Sequence, residues 1–299
     1  MHTLHDDEAE THYLGQFIPL HYHHNMLTDK NRMDNFKAAI DFAVFEGAKV
    51  LELGGGTGVL SYLAAGKASH VWCVEFNPVL VAESRRLLAL NPNGHKVEVV
   101  HADAFDYLPP EPVDVVICEM IHVAMLREKQ IEVIEAFKAR YRARFGDKLP
   151  LFIPTAVIMA VQPLQQDYDF SGYHAPIIQF QRVFAEHPGA MELAPPQTYS
   201  ILDLSQPTGR EISWQGTFTL EQTGMVNALR FFTKNVLTIN PQDGSTIDWV
   251  IDYLVLPLLQ PLDAQAGDEL QVSFRYLSGG SIRSLENSIR TTLKVASKP

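Results

Sequence analysis

The chain has 299 residues, of which 46% are hydrophobic and 20% are charged, and its formal net charge is −11. This composition describes a folded globular protein with one large domain or two ordinary ones. The excess of acidic residues argues against nonspecific binding to nucleic acid and suits a cationic substrate or partner, although ordinary solubility explains it at least as well.

Cysteine usage and the lack of long apolar runs bear on where the protein works. Only Cys73 and Cys118 are present, both in predicted buried strands, with no disulfide framework or CxxC pair. We therefore expect a reducing, cytoplasmic setting. The N-terminus MHTLHDDEAE is acidic, unlike a signal peptide, and no apolar run reaches transmembrane length, so no membrane association is expected.

The stretch VLELGGGTGVL, residues 50–60, predicts a strand, a tight glycine-rich turn and the start of a helix. Glycine suits such a turn because it permits positive φ and lets the backbone approach a ligand without a Cβ in the way. The free N–H groups of the following helix start suit a polar or anionic group. The stretch therefore predicts a nucleotide-like cofactor, with a ligand-free tight turn as the alternative.

The spacing of the glycines selects the kind of cofactor. A dinucleotide fingerprint has the form G-x-G-x-x-G, and Val59 occupies the position of its third glycine here. The glycines present are Gly54, Gly56 and Gly58, and Glu52 precedes them. This form resembles motif I of the class I S-adenosylmethionine-dependent methyltransferases and disfavours a nicotinamide dehydrogenase.

Short apolar strands alternate with helices over the first half of the chain. An amphipathic helix is predicted from about Thr28, capped by Thr28 or Asp29 and ended by Gly47. Strands are predicted at 49–53, 71–75, 97–101, 113–118 and 151–153, and further helices at 58–65, 78–90 and 126–145. This order implies a parallel sheet covered on both faces, with ligands beyond the C-terminal strand ends.

After Pro154 the helical periodicity largely disappears. Short β-rich pieces are predicted at 156–162, 211–220, 227–233, 248–256, 269–277 and 290–295, separated by turn signals. We therefore predict an antiparallel β domain, sandwich or barrel, over 154–299, and a cofactor-binding domain over 1–153. An aromatic-rich stretch at 163–196 is equally compatible with core packing and with an association arm.

Acidic residues follow the predicted strands at the edge where a ligand is expected. Glu75 ends the second strand and can accept both ribose hydroxyls of an adenosine. Asp103 follows the third strand and can accept from the adenine amino group, while the backbone N–H of Ala104 donates to the ring. The alternatives are an exposed strand-end charge for Glu75 and a helix-capping role for Asp103.

A pair of glutamates follows the fourth strand. Glu119 lies at the strand end, and Glu128 lies where the next helix is predicted to open. Two carboxylates in one cleft repel each other unless they share a cation. A guanidinium suits them because its planar donors match carboxylates bidentately. The alternative is that Glu128 only caps a helix dipole.

Three histidines near the N-terminus raise the question of a metal. His21, His23 and His24 match no closed-site spacing, and cysteine or acidic ligands are missing nearby. We therefore predict no metal site.

Several segments, taken in order, carry a resemblance to the protein arginine methyltransferases from about residue 13 onward. Motif I is generic to class I methyltransferases, whereas the paired glutamates, the N-terminal helix with its arginine and the appended β domain are more specific. The segments are MLTDKNR, VLELGGGTGVLSYLAA, VEFNP, VDVVICEM followed by Glu128, and FIPT. The resemblance implies a Rossmann-like parallel-sheet domain followed by an antiparallel β-barrel, a homodimer, and S-adenosyl-L-methionine as cofactor, with S-adenosyl-L-homocysteine as product.

The resemblance also implies roles for the cofactor residues. Arg32 matches the arginine that binds the cofactor's carboxylate, and His23 matches the histidine that precedes it. Glu52 and the glycines match motif I, and Glu75 matches the ribose acid.

On the acceptor side, Glu119 and Glu128 match the double-glutamate pair that grips the substrate guanidinium. Met120 and His122, in the loop between the glutamates, are further candidates for contact with the acceptor. Tyr13 and Phe17 match the tyrosine pair of the N-terminal lid, with the second tyrosine changed to Phe, and Trp249 matches the tryptophan of the family's Thr-His-Trp loop. Asp248 stands where that loop has histidine, and we predict that it helps to remove a proton.

The acceptor stays open at this level. The loop MIHVAMLR lacks the family's usual pattern and the arm region is shorter, which slightly favours free arginine or another guanidino metabolite over an Arg-rich protein. Two further alternatives are a methyltransferase for a different acceptor, with Glu119 as base, and a non-catalytic S-adenosylmethionine-binding scaffold.

Overall fold

The computed structural model describes residues 20–296, so the predicted lid residues Tyr13 and Phe17 lie outside the described residues. Residues 20–153 contain five strands and five α-helices. In chain order they are α1 (Leu20–Thr28), α2 (Lys30–Ala43), β1 (Lys49–Leu53), α3 (Val59–Ala64), β2 (His70–Glu75), α4 (Pro78–Ala89), β3 (Val97–His101), β4 (Val115–Cys118), α5 (Gln130–Phe145) and β5 (Leu151–Ile153).

Helix α2 forms where helical periodicity predicts it, with corrected ends. Asp29 is its N-cap, and its carboxylate accepts a 3.0 Å hydrogen bond from the backbone N–H of Arg32. Phe36 and Ile40 are buried on its inner face. The helix ends at Ala43, and a turn then leads to β1.

The five strands of the first half form one parallel sheet in the order β3-β2-β1-β4-β5. Every pairing within it is parallel, which confirms the predicted Rossmann-like arrangement. The carboxyl ends of β1 to β4 therefore share one edge, and they are Leu53, Glu75, His101 and Cys118.

The segment between β4 and α5 departs from expectation. Helix α5 begins at Gln130, later than the predicted 126, because Val123–Met125 forms a short 3-10 turn instead. Within this segment Ala124, Met125 and Arg127 have positive φ, a conformation that cannot continue an α-helix.

The second half is antiparallel. It contains β6 (Ala156–Gln166), β7 (Asp169–Phe170), β8 (Tyr173–His174), β9 (Gln179–Gln181), β10 (Ala190–Glu192), β11 (Gln197–Asp203), β12 (Glu211–Thr219), β13 (Gly224–Ile239), β14 (Thr246–Val250), β15 (Tyr253–Ala264), β16 (Glu269–Leu277), α6 (Ile282–Ser288) and β17 (Arg290–Lys294). A seven-stranded sheet centred on β13 and a three-stranded sheet, β12-β16-β17, form the β-barrel-like half.

The strand β6 includes the first residues of the aromatic-rich stretch 163–196. It runs to Gln166 and pairs with β13 through Leu164, which is fully buried. Residues 163–166 therefore belong to the sheet, and an arm can begin only beyond them. The change from parallel to antiparallel strands falls between Ile153 and Ala156, while the domain boundary between residues 153 and 154 stays a prediction.

One hydrophobic cluster joins the two halves. It contains Leu53 and Cys118 from the parallel sheet, Met125 from the segment after β4, and Phe231 and Phe274 from the antiparallel sheets. The segment after β4 is thus enclosed between both halves. Among residues 20–296 no helix is long and apolar enough to cross a membrane.

Candidate active site

The glycine-rich turn lies at the carboxyl end of β1 and has the backbone that its sequence requires. Gly54, Gly56 and Gly58 have φ values of +80°, +53° and +77°. A Cβ on Gly56 would come within 2.8 Å of Cε1 of His23, and one on Gly54 within 3.0 Å of Cγ of Met120. His23 and Met120 therefore lie directly against the turn.

Glu75 faces the same turn from the end of β2. One of its carboxylate oxygens accepts a 2.8 Å hydrogen bond from the backbone N–H of Gly56, and the other accepts a 2.7 Å bond from that of Asn77. Asn77 in turn caps α4 by accepting from the N–H of Val79. This carboxylate is therefore fixed next to the glycine-rich turn rather than pointing into solvent.

Glu52 is held differently from the other acids of the site. It is buried, and its carboxylate accepts hydrogen bonds from both the backbone N–H and the hydroxyl of Ser61 in α3. Burial raises the pKa of Glu52 to about 7. Glu52 thus connects β1 to the helix that follows the turn.

Asp103 lies in the turn after β3, next to the strand that carries Glu75. It is exposed, and its carboxylate accepts a 2.8 Å hydrogen bond from the backbone N–H of Phe105. No helix follows Asp103, so this bond stabilises a turn and is not the helix cap considered from the sequence. Ala104, whose N–H is predicted to contact the adenine ring, lies between Asp103 and Phe105 in the chain and is half-buried.

Arg32 and Glu119 form an ion pair at the centre of the site. The side chains of Arg32 and Glu119 are 7% and 12% exposed, so the pair is largely shielded from water. The guanidinium also lies over the ring of Phe36 at 5.4 Å and over that of Trp249 at 5.8 Å. Helix α2, the end of β4 and strand β14 therefore meet around one guanidinium.

Glu128 lies close to this pair. Burial and, less strongly, the negative charge of Glu119 together raise its pKa to about 8, although the charges of Arg127 and Arg32 act in the opposite direction. The structure therefore brings the two glutamates into one electrostatic cluster together with Arg32.

The loop between the glutamates is supported by groups that the sequence did not single out. The backbone N–H of Met120 donates a 3.0 Å hydrogen bond to the side-chain oxygen of Gln130, which is fully buried. An amide at a helix start usually faces solvent, so no signal in the sequence marked Gln130. His122 packs edge-on against Phe180 of β9 at 5.8 Å, and burial lowers its pKa to about 4, so its ring is neutral.

Asp248 lies apart from the glutamates. Its carboxylate forms a 2.7 Å ion pair with Lys234 and accepts a 3.0 Å hydrogen bond from Thr246. Side chains alternate along a strand, so Asp248 faces away from the side on which Trp249 contacts Arg32. The predicted role of Asp248 in removing a proton stays a prediction.

Metal ligands are not grouped in the described part of the chain. Within residues 20–296 no three His, Cys, Asp or Glu side chains are close enough together to hold a metal ion. His23 lies on the glycine-rich turn, and His24 is exposed.

Comparison with known proteins places this site in a class. A family model described as a methyltransferase domain matches residues 50–142, the part that carries the glycine-rich turn and both glutamates. An uncharacterized protein of Methanocaldococcus jannaschii is 25% identical, over 89% of this chain and 95% of its own length. Protein arginine N-methyltransferase PRMT10 of Arabidopsis thaliana is 32% identical, over 46% of this chain and 37% of its own length.

The same fold occurs in a solved structure. The crystal structure of Arabidopsis thaliana protein arginine methyltransferase 10 superimposes with a TM-score of 0.74 at 19% identity, covering 96% of each chain. Residues 50–142 thus form a methyltransferase domain, and the cofactor of the enzyme is S-adenosyl-L-methionine. Its parallel-sheet domain followed by a β-barrel-like domain is also the fold of that solved structure.

Proposed function

We propose that this enzyme methylates a nitrogen of a guanidino group. The observation that carries the proposal is that Glu119 already binds a guanidinium, that of Arg32, beside a second buried carboxyl group, Glu128. A planar guanidinium with several fixed donors matches two carboxylates better than an ammonium does. A free guanidino substrate fits this pair for the same reason.

The residues around the glycine-rich turn fit the cofactor. A turn without Cβ atoms lets a ligand approach the backbone closely, and Glu75 beside it can accept ribose hydroxyls. Arg32 would hold the carboxylate and His23 would lie next to it, while Asp103 and Ala104 would contact the adenine. S-adenosylmethionine supplies a methyl group already activated on a sulfonium sulfur.

The protein then contributes mainly alignment. Glu119 and Glu128 orient the guanidinium so that one nitrogen faces the methyl group, and such alignment can supply several kcal/mol of the rate enhancement. The pKa of Glu128 is about 8 without an acceptor, and a bound guanidinium would favour the ionised form, which can receive the proton that this nitrogen loses. Asp248 is a poorer candidate for that role because Lys234 neutralises it.

For the acceptor we favour free arginine or a related small guanidino compound. Phe180 of the 163–196 stretch packs against His122 of the loop between the glutamates, which restricts the space beside that residue. An Arg-rich protein segment is the second candidate, supported by the net charge of −11. Lid roles for Tyr13 and Phe17 stay predictions.

We also propose that the enzyme is a homodimer. Several apolar side chains beyond β6 are exposed, and so are two phenylalanines at and after the end of α2. They are Phe170, Tyr173, Ile177 and Phe184 on the first surface and Phe42 and Phe45 on the second. In the dimer, the first surface of one copy would pack against the second surface of the other copy.

A methyl-transfer assay tests the acceptor. Radiolabelled S-adenosylmethionine is incubated with free arginine, with an Arg-rich peptide, with the matched Lys-for-Arg peptide and with no acceptor. We expect label on arginine or the Arg-rich peptide only. Label on the lysine peptide would favour a different acceptor class. Cofactor binding without transfer to any of them would favour the scaffold alternative.

A further inference from the structure

The loop that separates Glu119 from Glu128 has an unfavourable backbone. Ala124, Met125 and Arg127 have φ values of +58°, +54° and +61°. Residues with a side chain rarely adopt this conformation, and they keep it only where the surroundings hold it. The contacts of these residues therefore decide whether the two glutamates stay together.

Both backbone polar groups of Ala124 are bound by side chains of the barrel-like half. Its N–H donates a 2.7 Å hydrogen bond to the hydroxyl of Thr233 in β13. Its carbonyl accepts a 2.9 Å bond from the hydroxyl of Tyr276 in β16. Thr233 is fully buried and Tyr276 is 4% exposed, so water does not replace either partner.

The Tyr276 hydroxyl is itself held in the donating orientation. A hydroxyl has a single proton, and a carbonyl can only accept, so Tyr276 gives its proton to Ala124. The hydroxyl of Tyr199, 3.0 Å away, must then donate to Tyr276. Burial raises the pKa of Tyr276 well above its usual value, so the proton stays in place.

The rest of the loop is bound by the turn after β16. The carbonyl of Met125 accepts a 2.8 Å hydrogen bond from the N–H of Gly279, and the N–H of Arg127 donates a 2.8 Å bond to the carbonyl of Gly280. The strained backbone is thus tied to the barrel-like half up to the residue before Glu128.

We infer that Tyr276 and Thr233 are positioning residues for the methyl transfer, which hold Ala124 so that Glu119 and Glu128 face the same guanidinium. This inference rests on the proposed function. The barrel-like half would then set the spacing of the two carboxylates, although neither Tyr276 nor Thr233 touches the substrate.

The test uses Tyr276→Phe and Thr233→Val in the full chain with S-adenosylhomocysteine bound. Thr233→Ser keeps the acceptor oxygen and should restore wild-type behaviour. Tyr141→Phe is the matched control, because Tyr141 is another buried tyrosine whose hydroxyl bonds to a backbone carbonyl, that of Val113, away from the loop.

Two measurements distinguish a positioning role of Tyr276 and Thr233 from a general effect on folding and from a wrong choice of acceptor. Hydrogen exchange over residues 124–128 should accelerate at least about tenfold in Tyr276→Phe and Thr233→Val and stay unchanged in Tyr141→Phe. With the guanidino acceptor, kcat should fall at least about tenfold in the first two variants, while the Kd for S-adenosylhomocysteine stays within about twofold.

Unchanged exchange in both variants, or faster exchange with unchanged kcat, would overturn the inference. A wild-type enzyme that methylates no guanidino acceptor would instead overturn the proposed function. The inferred role in methyl transfer would then fall with it, while the exchange data would still show whether the barrel-like half holds the loop.

Discussion

The guanidinium of Arg32 and the carboxylate of Glu119 form a largely buried ion pair between helix α2 and the end of strand β4. Arg32 is the residue proposed for the carboxylate of the cofactor, and Glu119 is the one proposed for the guanidinium of the acceptor. Each therefore occupies a place that a ligand would take. This arrangement predicts that the two ligands depend on each other.

Binding of the acceptor should be strengthened by S-adenosylhomocysteine, the product of the cofactor. The guanidinium of Arg32 is bound to the carboxylate of Glu119, so a guanidino compound must compete with it for Glu119. When S-adenosylhomocysteine is bound, its carboxylate would bind Arg32 instead and leave Glu119 free for the acceptor. We expect arginine to bind at least about tenfold more tightly with saturating S-adenosylhomocysteine than without it, as measured by calorimetry. In Arg32→Ala the difference should disappear. Equal affinities with the wild-type enzyme would contradict this prediction.

Stability should depend on pH through Glu128. Its pKa in the folded protein is about 8, above the ordinary value of 4.5, so its contribution to stability is complete below about pH 4.5 and lost as pH rises through 8. Glu128→Gln should therefore gain free energy of unfolding relative to wild type when the pH is raised from 5 to 9. We expect this gain to reach up to a few kcal/mol in urea unfolding. The exposed Glu221→Gln is the control, and an equal response of both variants would refute the assignment.

The glycine-rich turn should not tolerate a Cβ at Gly56. Alanine there would have a φ of +53° and would place its Cβ 2.8 Å from the ring of His23. We expect Gly56→Ala to weaken binding of S-adenosylhomocysteine at least about tenfold. Gly209→Ala, where nothing lies within 4 Å, should bind normally. Similar affinity for the two variants would show that this turn does not hold the cofactor.

The proposed dimer should depend on the exposed residues beyond β6. Tyr173 and Phe184 are 73% and 80% exposed, and a charge on either would disfavour an apolar interface. The double variant Tyr173→Glu and Phe184→Glu should have half the wild-type mass in light scattering. Leu259→Glu, at an 87% exposed position on β15, should not change the mass. A wild-type monomer would contradict the proposal directly.

Local sequence patterns were enough to predict the parallel sheet and its ligand-binding edge. Apolar runs such as 71–75 and the turn at Gly54 and Gly56 are properties of neighbouring residues, so the order of elements follows from them. The structure confirms the fold class and places Glu75 against the turn.

The contacts that shape the acceptor side could not be read in the same way. Arg32 and Glu119 are 87 positions apart, and nothing local indicates that they pair. The left-handed backbone at Ala124 carries no glycine to signal it, because Thr233 and Tyr276 stabilise it from the other half of the chain. The ion pair of Asp248 could not be predicted for a similar reason, since its partner Lys234 lies on a neighbouring strand.

Methyl transfer by Glu119→Gln and Glu128→Gln, compared with wild type and with Glu221→Gln, tests the double-glutamate pair most directly. We expect both site variants to bind S-adenosylhomocysteine nearly as wild type does and to lose at least about 100-fold in turnover of a guanidino acceptor. Glu221→Gln should keep full turnover. Near wild-type turnover by Glu119→Gln would contradict the proposal that this pair holds the acceptor.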